Sequence, residues 1–219
     1  AQALMQLGDT YQQERMKENA IKTYHELIRL YPNNELAEEA RFRIALLYAK
    51  DGKWAEAIEG MNQVIHHSPK SHLAVEARVE LGDLYLLLKN YPKALEQYEW
   101  VIKNHPQHPS ARRVYLGMEE AYRSLGKMDQ AEKILKELSG SLPREDIQYE
   151  GQLRLGTLYY TQKRFGEAVA AFSVAARSPE ERVASQAQYK LGEAYLDAGN
   201  RESALVQFSK VVYLYPQHS

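Results

Sequence analysis

The first 34 residues carry apolar positions at the spacing of two amphipathic helices. Small or apolar residues recur three and four positions apart at Leu4, Leu7, Gly8 and Tyr11. This stripe then breaks and resumes from Ala20 to Ile28, and Pro32 follows where a helix cannot continue. The segment therefore predicts two antiparallel helices joined by a tight turn.

This hairpin pattern occurs six times along the chain. Tyrosines mark the first helices at intervals of 37, 37, 37, 37 and 36 residues, at Tyr11, Tyr48, Tyr85, Tyr122, Tyr159 and Tyr195. Alanines follow nine residues later, at Ala20, Ala57, Ala94, Ala131, Ala168 and Ala204. A fixed period of about 20–50 residues is typical of a solenoid, in which each unit packs on its neighbours. The chain is therefore predicted to present a long surface.

The residues of each unit also resemble a known family. The first unit reads Leu-x-x-Leu-Gly-x-x-Tyr, followed by Ala20, Tyr24, Leu27 and Pro32. This pattern resembles the tetratricopeptide repeat over essentially the whole chain. The resemblance implies an all-α fold: a right-handed α-solenoid superhelix of six helix-turn-helix repeats. The predicted repeats, from whose first residues we count repeat positions, are 1–34, 38–71, 75–108, 112–145, 149–182 and 185–219.

The ends and the linkers of this predicted array carry further information. The pattern starts at Ala1 and stops inside a linker, with no polar capping element at either end, so we expect one array within a longer chain. Each period exceeds the family's usual length of about 34 residues. The surplus follows the proline, where Asn33 or Asn34, and Ser71, are predicted N-caps.

These linkers resemble those of bacterial envelope tetratricopeptide proteins, such as the outer-membrane protein assembly lipoprotein and the Tol-Pal coordinator. The resemblance favours a bacterial periplasm or cell envelope, with the cytoplasm as the alternative.

Two repeats depart from the pattern at position 8, where the others have glycine. Ala45 is small enough to fit there, whereas Glu119 is expected to splay its helix pair or to turn outward. Glycines at the turn between the helices, Gly52, Gly126 and Gly199, are expected to adopt a left-handed backbone.

Composition excludes several classes of function. The chain has 28 basic and 29 acidic residues, so it lacks the positive excess of nucleic-acid-binding proteins. No apolar run approaches the roughly 18 residues that span a bilayer. Phosphate-binding glycine loops and nucleophile–base spacings are absent, and the five histidines between residues 66 and 108 fall at helix ends and in linkers. We therefore predict no catalysis, no cofactor and no metal site.

The resemblance implies that positions 2, 5, 9, 12 and 13 of each repeat line a concave groove. Position 5 is apolar throughout, and the five positions together carry eight acids and three bases, a balance of −5. The predicted partner-binding residues are Glu39, Phe42, Leu46, Glu76, Val79, Asp83, Leu86, Leu87, Leu116, Glu120, Leu153, Tyr160, Tyr189, Glu193 and Leu196.

A groove with an apolar floor and acidic sides favours a protein or peptide partner with apolar anchors and basic flanks. Two alternatives remain open. In the first, the side chains at positions 5 and 12 partly pack between adjacent first helices instead of lining a groove. In the second, the apolar patches or the uncapped ends join copies of the chain into a homo-oligomeric scaffold.

Overall fold

The regular structure of the described residues is entirely helical. The structure is a computed structural model, and it describes residues 1–141 and 145–217 without the side chains of residues 141, 145 and 146. Its contacts divide into two compact units, Ala1–Gly117 and Met118–Ser219. The helices of the first unit are α1 (Gln2–Gln13), α2 (Lys17–Leu30), α3 (Glu35–Lys50), α4 (Trp54–His67), α5 (His72–Leu87) and α6 (Tyr91–Asn104). Helix α7 (Ala111–Ser124) contributes to both units.

The second unit continues with α8 (Met128–Ser141), α9 (Glu145–Thr161), α10 (Phe165–Ala175), α11 (Glu181–Asp197) and α12 (Arg201–Leu214). The prediction of an all-α repeat fold is confirmed. The single array with its six boundaries stays a prediction. Predicted repeat 4 includes residues 142–144 and predicted repeat 6 ends at residue 219, and these positions lie outside the described residues.

Helices α3 and α5 start at capping residues that the sequence predicts. The Asn34 side chain accepts a hydrogen bond of 2.9 Å from the Leu36 N–H, and the Ser71 hydroxyl accepts one of 3.1 Å from the Ala74 N–H. Both side chains therefore satisfy a backbone donor that the first turn leaves free. Of the two asparagines that the sequence offers, the cap of α3 is Asn34.

The core lies between the helices of each hairpin and between successive hairpins. Helix α2 packs on α1 within its repeat and on α3 of the next repeat. Its residues Ala20, Tyr24 and Leu27 are fully buried and cluster with Ala40 and Ile44 of α3. Each large apolar side chain buried in this way stabilises the fold by about 1.5–3 kcal/mol.

Position 8 sets how closely the two helices of a hairpin pack. A Cβ atom added at Gly8 or Gly82 would overlap the ring of Tyr24 or Tyr98, and the glycines of repeats 5 and 6 face Phe172 and Phe208 in the same way. In repeat 2, Ala45 takes the place of the glycine. The small residue has moved to the facing helix there, since a Cβ at Gly60 would lie only 2.8 Å from the Ala45 Cβ.

The turn between the two helices has a left-handed residue at position 15 of every repeat. Glycine supplies it in the even-numbered repeats, with φ of +72°, +71° and +82° at Gly52, Gly126 and Gly199. The odd-numbered repeats instead place a basic residue there, with φ of 59°, 57° and 60° at Arg15, Lys89 and Lys163. A side chain in this region costs about 1–2 kcal/mol relative to glycine.

We expect Gly126→Ala to lower the free energy of unfolding by about 1 kcal/mol. The new Cβ meets no atom within 4 Å, so the left-handed backbone is the only source of strain. Gly166→Ala is the matched control because Gly166 also has open space around it but lies within α10. This control is expected to stabilise by about 0.5–1 kcal/mol, measured by urea unfolding. Equal effects of the two substitutions would contradict the assignment of the strain to the left-handed backbone at residue 126.

Candidate functional site

The face formed by the first helices of successive repeats is the candidate site. These helices contact one another as well as their own hairpin partners: α1 contacts α3, α3 contacts α5, and α9 contacts α11. Within the first unit, Glu39, Phe42 and Leu46 line one cavity of about 240 Å³. Three of the residues predicted to bind a partner are therefore brought together on α3.

Two of the predicted residues do not lie on an accessible surface. Val79 is fully buried, and Leu153 is buried apart from a small area at the wall of a cavity in the second unit. Both occupy position 5, and their burial agrees with the alternative in which the side chain at this position packs between neighbouring helices. Phe42 and Leu116 are half-buried at the same position, and Tyr189 is 48% exposed.

The other predicted apolar residues of the first unit are accessible. Leu86 is half-buried, and Leu87 is 60% exposed at the end of α5. Because α5 contacts α3, these leucines lie on the first helix next to the one that carries Phe42. An exposed leucine of this kind has apolar area that a partner can bury.

Two aspartates of the first unit, Asp9 and Asp83, are each held by an arginine of the following repeat. Asp9 accepts a hydrogen bond of 2.6 Å from the Tyr24 hydroxyl and forms an ion pair with Arg43. Arg43 also donates from Nε to Glu39 over 2.9 Å. Burial, together with the hydrogen bond to Asp9, raises the pKa of Tyr24 to about 12.

The same arrangement recurs in repeat 3. The Tyr98 hydroxyl donates to Asp83, and Arg113 forms an ion pair with Asp83 and a second one, of 2.8 Å, with Glu80. Glu76 lies 3.6 Å from His108 Nε2. A buried tyrosine, a groove aspartate and an arginine of the next repeat thus form a repeated triad.

The sequence count overstated the negative charge of the groove. It used five repeat positions and left out position 6, which carries Arg43, Arg154 and Lys190. These cations bond to Asp9 and Glu39, to Glu150, and to Glu193, respectively. Position 6 also carries Glu80, so including this position changes the balance from −5 to −3. The spacing of about one repeat between Asp9 and Arg43 was the signal that would have revealed the pairs.

Glu119 does not turn outward, which was one of the two arrangements expected for it. It is 3% exposed and lies beside a cavity of about 270 Å³ in the second unit. One carboxylate oxygen is 3.4 Å from Arg154 Nη1, and the other is 3.5 Å from Arg123 Nε. Burial raises the pKa of Glu119, and the two arginines offset only part of that effect. By contrast, Glu120 is exposed, with no side-chain partner among the described residues.

The second unit also groups the predicted aromatic residues. The Tyr160 hydroxyl donates to Asp197 over 2.5 Å, and the Tyr160 ring lies 5.8 Å from the ring of Phe165. Tyr189 packs on Phe208, with 5.6 Å between ring centroids, while Leu196 is exposed on the same helix. The hydrogen bond to Asp197, helped by burial, raises the pKa of Tyr160 to about 12.

Repeated helical hairpins with the same core positions define a helical repeat protein. Profiles of the tetratricopeptide repeat match residues 2–34 and the overlapping segments 42–109, 79–138, 120–182 and 153–219. The chain belongs to the tetratricopeptide repeat family. Repeats of this fold are generally non-enzymatic protein-interaction scaffolds.

Solved structures share the fold at low sequence identity. BtubC from P. vanneervenii is 17% identical with a TM-score of 0.68, and the alignment covers 98% of this chain and 92% of that one. PilF of Pseudomonas aeruginosa is 17% identical with a TM-score of 0.65, covering 98% and 91%. MamA is 18% identical with a TM-score of 0.62, covering 80% and 90%. No curated protein sequence matches the chain significantly.

Within the described residues, no group of three or more histidine, cysteine or acidic side chains has an arrangement that suits a metal ion. No helix in the same part of the chain is both long enough and apolar enough to cross a membrane.

We expect Glu119→Gln to raise the free energy of unfolding at pH 7, by an amount on the order of 1 kcal/mol. The pKa of this carboxyl is higher in the folded than in the unfolded chain. Its contribution is therefore fully present below the unfolded pKa of about 4.3 and is lost as the pH rises through the folded pKa. Urea unfolding of both proteins across this range measures the difference, which should shrink as the pH falls. A difference that is independent of pH would contradict this account.

Proposed function

We propose that the protein is a non-enzymatic scaffold that binds a segment of another protein along the first helices α3 and α5. The single observation that carries the proposal is the cavity lined by Glu39, Phe42 and Leu46. The general role of tetratricopeptide repeats as interaction scaffolds supports it. The support for a place in a bacterial envelope assembly is the resemblance of the linkers.

Apolar anchors supply most of the affinity in this proposal. Leu87 exposes 60% of its surface, and Phe42 is half-buried at the cavity. Burying one such side chain against a partner contributes about 1.5–3 kcal/mol. A helical or extended segment with several apolar side chains suits this face.

The basic flanks inferred from the sequence have a smaller part in the first unit. Arg43 already pairs with Asp9 and Glu39, and Arg113 holds Asp83. A lysine of the partner would have to displace these ion pairs. The second unit retains Glu120 as an exposed acid to which a basic flank can bind.

We expect Leu87→Glu to reduce capture of the partner by at least about tenfold, since it removes an apolar contact of about 1.5–3 kcal/mol. The measurement is affinity capture from cells that produce the protein, with each captured protein quantified by mass spectrometry. Leu205→Glu is the matched control because Leu205, on the second helix α12, is 68% exposed. A set of captured proteins that is unchanged by Leu87→Glu would refute the proposed face.

Self-association is the second candidate function, and one observation favours it. Helix α12 exposes Leu205, Tyr213 and Leu214, each by more than half of its surface. Apolar side chains exposed together on one helix form a surface that a second copy of the chain can bury.

If copies associate through this face, the weight-average mass rises with protein concentration in sedimentation equilibrium. Leu205→Glu is expected to restore a monomer, because it places a charge in the apolar contact. Leu87→Glu then serves as the control and leaves association intact. A mass that equals one chain at every concentration would exclude this candidate.

A further inference from the structure

Two neighbouring cavities of the first unit form one cleft at the first-helix face. One, of about 240 Å³, has Phe42 and Leu46 in its wall, and the other, of about 520 Å³, has Arg15. The two cavities share Gln12, Leu47 and Lys50. We call this pair the amino-terminal cleft. It combines an apolar wall at one end with a charged wall at the other.

Both acids that line the amino-terminal cleft are already paired. Glu39 accepts from Arg43 over 2.9 Å, and Asp51 accepts from Lys17 Nζ over 2.5 Å. The hydrogen bond from Lys17 lowers the pKa of Asp51, so this acid stays ionised and paired at neutral pH. Each of these carboxylates therefore already has a cationic partner within the chain.

Two of the four cations in the cleft have no such partner. Among the described residues, the side chains of Arg15 and Lys50 form no hydrogen bond and no ion pair, and both are exposed. Lys50 is the last residue of α3, where the helix carbonyls attract its charge only weakly. The charged end of the cleft therefore has two cations that are free to bind an anion.

The Arg15 side chain stands on a left-handed backbone. Arg15 has a φ of 59°, although the next repeat places Gly52 at the same turn position without strain. Strain of this kind persists where a side chain is needed or where the surrounding structure enforces it. Lys89 and Lys163 share this geometry, so the left-handed turn is a feature of the odd-numbered repeats, and the proposal rests on the unpaired charges of Arg15 and Lys50.

We propose that the amino-terminal cleft binds an acidic segment of a protein partner, in which an apolar side chain adjoins an aspartate or glutamate. The apolar side chain packs against Phe42 and Leu46, and the carboxylate bonds to Arg15 and Lys50. This inference rests on the proposed function and gives the chemistry of the partner at this end of the face. It replaces the basic flanks inferred from the sequence, because the free charges of the cleft are positive.

A peptide suits the cleft better than a nucleic acid does. The apolar wall of Phe42, Leu46 and Leu47 has no use in binding a phosphate backbone. The chain as a whole also lacks the positive excess that non-specific nucleic-acid binding needs. An acidic peptide with an apolar anchor uses both ends of the cleft.

The test is selection of a display library of short random peptides on the purified protein. Recovered peptides are then measured by fluorescence anisotropy against variants. We expect peptides rich in aspartate and glutamate next to leucine or phenylalanine, with binding that weakens as salt is added. Combined Arg15→Glu and Lys50→Glu should weaken that binding by more than about tenfold. Combined Lys22→Glu and Lys70→Glu make the same charge change at exposed sites outside the cleft and should leave binding intact.

Arg15→Gly separates binding from folding. It removes one free cation and relieves the left-handed strain, so it should raise the thermal midpoint while weakening peptide binding. Acidic peptides that bind Arg15→Gly, and the variant with both Arg15→Glu and Lys50→Glu, as tightly as the original chain would overturn the proposal.

The other outcomes of the selection separate this inference from the proposed function. Recovered peptides that are apolar without acids, and whose binding depends on Leu87, would overturn the acidic partner but leave the proposed function standing. A library that yields no binding peptide would count against both, and a labelled oligothymidine that binds through Arg15 and Lys50 would assign the cleft to nucleic acid instead.

Discussion

The hairpins of repeats 1, 3, 5 and 6 depend on one steric fit, in which an aromatic ring at position 24 occupies the space that a missing Cβ leaves at position 8. Neither helix of a hairpin can cover its own apolar stripe, so each must approach the other closely. Gly8 permits this approach, and the ring of Tyr24 fills the contact completely. A methyl group at position 8 would have to move the ring, and the ring is also packed against the next repeat. The contact therefore couples the inside of one hairpin to its neighbour.

The same contact also sets the charge on the first-helix face. A fully buried tyrosine needs a partner for its hydroxyl, and Tyr24 finds it in Asp9. Asp9 in turn holds Arg43 of the next repeat, so a core side chain positions an ion pair at the surface. Phe172 and Phe208 have no hydroxyl. Their repeats place Thr157 and Glu193 at position 9, and Glu193 pairs with Lys190 of its own helix.

The sequence predicted the helices well because their signals are local. Apolar spacing, the prolines and the caps at Asn34 and Ser71 each depend on residues within one or two turns. Burial at the candidate site depends on neighbours that no local pattern contains. Phe42 and Val79 occupy the same repeat position, yet Phe42 lines a cavity and Val79 is fully buried. Glu119 was expected to splay its helix pair or to turn outward, but it is buried, and Arg123 and Arg154 lie close enough to hold it there.

The charge that a repeat array offers to a partner is decided by what its repeats leave unpaired. In the first unit, ion pairs between repeats join residues about one repeat apart, as in Asp9 with Arg43 and Lys17 with Asp51. A cation is therefore left free when the residues at this distance before and after it are not acids. Lys50 meets this condition, because Met16 and Leu84 lie 34 residues before and after it. Such a cation does not join the repeats, and its charge is available to a group from outside the chain. Two repeats with similar cores can thus offer opposite charges, and the pairing across repeats determines which charge a partner meets.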